Sequence, residues 1–367
     1  MDQSAAQPGR VRPPGRVLGV LLAAVLVGYT AQQLLGPVLA PLSRELRLSE
    51  FQLGLVITAA AVAFTLSSLA WGRVVDRWGS RRVLLVGLVL AVVGMAGFAV
   101  VCRLALDSGW AAPDTVTAMV VTRAVVFGAG MGAVPVAALA FVSATTTGER
   151  ERTRGVSLVG AAQAISLVVG PGVGGALAVA DLLLPVYAAP VLLALVTAAV
   201  AVLVPGAPTP AGGPADPAPP GRVGPLDARV RPFLVVGFLL YLSLGVMQVV
   251  LGFLVQDRLE LAATATAAAV GTAMVITGLV LVAMQAVVVP RLGWRPALLI
   301  RAGAPVAAAG YALLAVAPQL WTITVGLCVI AVGLGLALPG YAAGATLRVG
   351  PTEQGAVAGL VNATTGA

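Results

Sequence analysis

The chain has 367 residues, of which 59% are hydrophobic and 10% charged, with a mean hydropathy of +1.01, whereas roughly a quarter of the residues of a soluble domain are charged. All 22 basic residues are Arg and there is no His, which excludes histidine-based catalysis, histidine metal sites and any lysine-dependent phosphate loop. The net charge of +8 is no nucleic-acid footprint, because the Arg residues punctuate apolar runs instead of clustering on a solvated face.

A helix that crosses a hydrocarbon core of about 30 Å needs about 20 mainly apolar residues. Ten such runs follow one another, near 17–40, 51–71, 83–105, 116–142, 156–180, 183–204, 233–256, 265–289, 297–316 and 320–346. Arg10, Arg12 and Arg16 precede the first like the start of a signal peptide, but no small-residue cleavage site closes the run, so it reads as a span. Another run opens after Pro351 and Thr352 and reaches Ala367, which reads as an eleventh span cut short. Cys102 and Cys328 lie far apart in apolar surroundings and read as small buried hydrophobes.

Residues 205–232 hold nine Pro and five Gly, too broken for a helix and too polar for the membrane. The expected organisation is a six-helix bundle over 1–204, a cytoplasmic linker over 205–232 and an incomplete helical bundle over 233–367. Numbering the loops from an inside N-terminus puts 17 Arg inside and four outside, with Arg123 alone inside a span. This asymmetry predicts a cytoplasmic N-terminus and a multi-pass protein of the plasma membrane.

The two halves echo each other. Arg44–Leu48 (RELRL) precedes the second span as Asp257–Leu261 (DRLEL) precedes the eighth. Asp76–Arg81 finds a degraded counterpart in Pro290–Arg295, and Gly130-x-Gly132 is matched by Gly333-x-Gly335. Parallel repeats around a central linker are an architecture of transporters whose halves rock about a midplane site.

Gly72-Arg-Val-Val-Asp76-Arg77-Trp-Gly79-Ser-Arg81-Arg82 concentrates charge between spans two and three. Gly72 and Gly79 suit a tight turn and a close neighbour, Asp76 is an acceptor for helix N-terminal amides or an Arg fork, and Arg77, Arg81 and Arg82 suit anionic headgroups. This stretch resembles the loop signature of the major facilitator superfamily, and the resemblance covers essentially the whole chain. It implies an all-α membrane fold of two six-helix repeats, the second incomplete here with about ten full spans and part of an eleventh. It also implies that Asp76 touches the start of the eleventh helix, near Thr352 and Glu353, in the outward-facing state and releases it when the halves rock inward. By the repeat, the remainder of span eleven and a twelfth span would follow Ala367, so the 367-residue chain alone is expected to be poorly active.

In span five, Gly170, Pro171, Gly174 and Gly175 form a packing and hinge surface, with Gly170 and Gly174 on one helix face. The Gly-Pro-x-x-Gly-Gly form resembles the fifth-helix signature of facilitator antiporters and points to a drug:proton antiporter type. Arg123 resembles the fourth-helix Arg implicated in proton coupling; an Arg snorkelling to the headgroups is the alternative. No Asp or Glu falls near the middle of any span, which departs from the antiporter pattern and leaves coupling open.

Neutral groups near span centres are the candidate cavity lining: Tyr29, Gln32 and Gln33 on one face of span one, Gln163 with Ser166 in span five, Tyr241 with Gln248 in span seven. Met247, Met274 and Met284 would add adaptable apolar contacts. The expectation is a monomeric secondary transporter, not an enzyme. It would export small hydrophobic or neutral, drug-like compounds by rocker-switch alternating access without a metal or other cofactor, a proton gradient being the candidate driving force. The alternative is a metabolite uptake carrier or facilitator of the same fold.

Overall fold

A computed structural model describes residues 15–145, 149–204, 224, 226–350, 353, 357, 360 and 361. Most of the linker, Thr352 and most of the eleventh run lie outside the described residues.

Without water in the bilayer core, backbone groups must be paired within the segment, so apolar runs of this length become helices. The described helices are α1 (Gly15–Gln33), α2 (Gly36–Glu45), α3 (Glu50–Trp78), α4 (Ser80–Ser108), α5 (Ala112–Met119), α6 (Phe127–Thr145), α7 (Glu149–Ala178), α8 (Leu184–Leu203), α9 (Arg231–Leu259), α10 (Ala263–Ala283), α11 (Val289–Leu292), α12 (Pro296–Val316) and α13 (Leu320–Thr346). Two π-helical segments, Val120–Val126 and Met284–Val288, join α5 to α6 and α10 to α11. Together they make ten helical spans long and apolar enough to cross a membrane, in agreement with the ten runs.

Caps fix the ends. Ser49 and Gln52 form a reciprocal capping box at the start of α3, with Ser49 N–H donating to Gln52 Oε1 at 2.8 Å. A left-handed Gly109 (φ 61) closes α4. The first span differs from a single run over 17–40. It breaks at Leu34 and Leu35 and resumes as α2 to Glu45, because Pro37 has no N–H to give the carbonyl one turn before it.

One buried cluster runs through 17–204 and takes in Ala267, and a second runs through 240–341. Lipid provides no hydrophobic drive between helices, so close packing rests on small residues that let backbones meet. A side-chain carbon on Gly130 would lie 2.5 Å from the Gly87 carbonyl oxygen, and one on Gly333 would lie 2.6 Å from that of Gly303. Gly94 and Gly310 repeat the contact seven positions further along α4 and α12. The halves thus share a packing device as well as a sequence pattern. Even the two non-glycine residues with positive φ among those described, Arg47 (φ 57) and Glu260 (φ 49), occupy the same position in RELRL and DRLEL.

Adding a methyl at this interface forces α12 and α13 apart. Gly333→Ala is expected to cost about 1–3 kcal/mol and to lower the unfolding temperature in lipid nanodiscs. Gly19→Ala, at a glycine with no neighbour within 4 Å, serves as the control and should leave that temperature within the error of the thermal scan.

Candidate functional site: a neutral cleft between two helical halves

The break in the first span is the centre of the site. Gln33 ends α1 and is buried at 8% exposure, pressed against α7, where a side chain on Gly170 would collide with it and one on Gly174 would collide with Leu34. Tyr29 lies within side-chain reach of Gln163, and the fully buried Ser166 hydroxyl donates to the Gln163 main-chain carbonyl at 2.6 Å. The structure therefore brings Tyr29, Gln33 and Gln163 together. Gln32 is half-buried on the same helix.

The Gly170–Gly175 segment serves two partners. Gly170 and Gly174 face the break, whereas Pro171, Gly172 and Gly175 face α10 in the other half. There a side chain on Gly271 would lie 2.7 Å from the Pro171 carbonyl, and one on Gly175 would lie 3.0 Å from Gly271 Cα. Only glycine allows such an approach between two backbones. Met274, also on α10, lays its thioether against Gly36 at the start of α2.

In the second half, Tyr241 meets Tyr341 edge to face with ring centroids 6.1 Å apart. Gln248 lies on the same helix row as Tyr241 and is exposed. Met247 is buried in the core of that half, and Met284 packs at Gly335. Tyr341 is buried at 1% exposure and its hydroxyl donates to the Val361 carbonyl at 3.5 Å. Its place outside the middle third of span ten is why the sequence does not single it out.

The pairs α2–α9, α2–α10, α3–α9 and α7–α10 join the halves. They pack toward the ends that carry Arg44 and Asp257, where Ala40, Leu53 and Phe253 form a small apolar plug. The opposite ends carry Gly79. There α3 passes into α4 through one residue, Gly79, at φ 77 and ψ 156, a backbone that side chains disfavour. Asp76 and Arg77 are exposed, and no hydrogen bond or ion pair with a described residue engages Asp76. Gly72 has no neighbour within 4 Å. Arg81 is tied down, its Nη2 donating to the Ala201 carbonyl at 2.8 Å, while Arg82 and Trp78 border a groove with Leu85 and Val86.

Glu353, which the resemblance sets near Asp76 in the outward-facing state alone, is engaged by the linker-side Arg229 in this arrangement. Arg229 grips it through two hydrogen bonds of 3.0 Å and also pairs with Asp227 at 2.8 Å. The Arg229 guanidinium lowers both carboxyl pKa values below the ordinary range, and the Gly350 amide assists at Glu353.

Arg123 sits inside the first π-helical segment, with its guanidinium carbon 4.6 Å from the Phe127 ring centroid and a buried Nε that has no hydrogen-bond partner among the described residues. It shares a helix row with Phe127 and Met131, and Met131 reaches Gly28 on α1. Among the described residues no group of three or more acidic or thiol side chains could hold a metal ion.

The Major Facilitator Superfamily model matches residues 21–367. The chain belongs to that superfamily. It is a multi-pass membrane protein of a transporter family and fold, which are not those of enzymes, and the fold recurs in solved transporters. It is similar to a bacterial homologue of the human lysosomal transporter Spinster, in an inward-facing and occupied conformation (TM-score 0.73, 14% identity, 96% of this chain and 78% of that one). It is also similar to the human organic anion transporter MFSD10 (TM-score 0.63, 19% identity, 98% and 91%). Multidrug resistance protein 2 of Bacillus subtilis (strain 168) is 24% identical over 185 residues, which cover 50% of the facilitator and 42% of that relative.

A carboxylate held below its ordinary pKa stabilises above the ordinary range, and the contribution is lost as pH falls through the lowered value. Backbone hydrogen exchange around Asp227 and Glu353 should therefore accelerate as pH drops below the ordinary carboxylate range, after correction for intrinsic exchange. Arg229→Gln should remove that pH dependence.

Proposed function

We propose that the facilitator is a secondary transporter of the plasma membrane that exports small hydrophobic or neutral compounds by alternating access. The observation that carries this reading is the neutral cluster of Tyr29, Gln33 and Gln163 at a helix break, beside a seam packed on one face only. No Asp or Glu lies in the middle of any span, so nothing in the cleft selects for a cation. Tyr241, Gln248 and Met274 provide the facing wall. The partial similarity to a multidrug resistance protein supports drug-like substrates.

The Arg bias supports a cytoplasmic N-terminus, which makes the packed face the outer one and this arrangement inward-facing. The inward-facing Spinster homologue with the same fold is in keeping with that assignment. In our reading the stretch from Gly72 to Arg82 is the inner clamp. Asp76 pairs with no described residue here while Arg229 holds Glu353, and the clamp closes on the Glu353 segment when the halves rock outward. Arg123, half-buried and stacked on Phe127, is the coupling residue if a proton gradient drives export.

Flux into proteoliposomes, measured for dyes, antibiotics and metabolites with and without a pH gradient, tests this. Removing one neutral polar contact changes binding by about 1 kcal/mol, so Gln33→Ala and Gln163→Ala should each lower kcat/KM about fivefold. Unchanged flux of every compound in both variants removes these residues from the pocket. Arg123→Gln should abolish the response to the gradient while downhill flux persists. Net accumulation of a metabolite in the uptake direction would replace export by uptake.

A further inference from the structure

We infer that Arg44 and Asp257 are the outer gate of the transport cycle, an ion pair between repeat-related positions that holds the halves together on that face. The inference rests on the alternating-access reading above and adds the two residues that must part for the outer face to open.

The pairing follows from the repeat. Arg44 and Asp257 are the first residues of RELRL and DRLEL, and Arg47 and Glu260, the fourth, share an unusual positive φ. A two-fold axis sets a residue near its own counterpart where that residue lies at the axis, and the Arg44–Asp257 ion pair puts the first positions of the two segments there. With the same residue in both halves, Arg would meet Arg. The charge is inverted in sequence at the first, second and fourth positions, and at the first, where the two side chains meet, repulsion becomes attraction.

The surroundings make Arg44 the anchored partner. Its guanidinium bonds Asp257, lies 3.6 Å from Glu50 Oε1 and stacks 5.1 Å from the centroid of the Phe253 ring. The apolar plug of Ala40, Leu53 and Phe253 lies nearby, with Gly252 against Ala40. Arg258, next to Asp257, does not compete, because it donates to the carbonyls of Leu314, Ala315 and Ala317 at the end of α12. The side chains are 34% and 54% exposed. Water therefore weakens the pair enough for it to open and reform in each cycle.

The test uses the full chain in lipid nanodiscs, with Cys102→Ala, Cys328→Ala, Ala111→Cys and Ala262→Cys. Spin labels at 111 and 262, exposed positions on the outer face of the two halves, report the distance between them. The parent should give mainly the short distance. Arg44→Ala and Asp257→Ala should each raise the long-distance population roughly two- to fivefold, the range for an exposed pair, and Arg44→Asp with Asp257→Arg together should restore the parent distribution. Singles that match the parent, or an exchanged pair no closer to it than the singles, would overturn the gate. Because the distances need no substrate, the two readings separate. A gate that responds as expected stands whatever flux is measured, whereas robust flux with unchanged distances keeps transport and overturns the gate.

Discussion

Contact between helix backbones at glycine is the interaction on which the rest of this molecule depends. Hydrocarbon surrounds the helices, so burying one more Leu between them gains little, and association comes from shape and dispersion at short range. The contacts of Gly87 and Gly130 in one half, and of Gly303 and Gly333 in the other, bring carbonyls within reach of the neighbouring backbone. Each half is thereby a stiff body. Between the halves the same device appears once more, at Gly175 and Gly271, and there it is confined to part of the length of α7 and α10.

Charge is arranged to leave that device undisturbed. Acidic residues stand at helix ends and loops, where water or an Arg can serve them. The middle of the spans near the helix break is left to hydroxyls and amides such as Tyr29, Gln33, Gln163 and Ser166, the last donating to the Gln163 main-chain carbonyl. Such groups offer a ligand orientation without demanding a particular charge. Arg123 is the exception, kept at a π-helical distortion and stacked on the Phe127 ring. Distortions of this kind commonly sit at functional positions because they hold a side chain where a regular helix would not.

Much of this was legible in the chain. Hydrophobic run length gives ten spans because membrane thickness sets helix length directly, and the repeat gives the pairing of halves. The turn at Gly79 is also readable, since one glycine separates two runs. Other features were not. Pro37 marks a disturbance in the first span, but only the fold tells that α2 then continues to Glu45. The Gly170–Gly175 pattern predicts close packing without revealing that it is divided between α1 and α10. The exchange of Arg for Asp between RELRL and DRLEL reads as drift until the two segments are seen face to face. Gln33 and Gln248 look alike as mid-span amides, yet one is buried at a helix break and the other is exposed.

The single-residue joint between α3 and α4 has a mechanical consequence. A connection of one glycine between helices of 29 residues each has no slack, so these two helices cannot swing independently at that end. Whatever rotation the molecule performs therefore carries these ends of α3 and α4 together as one arm.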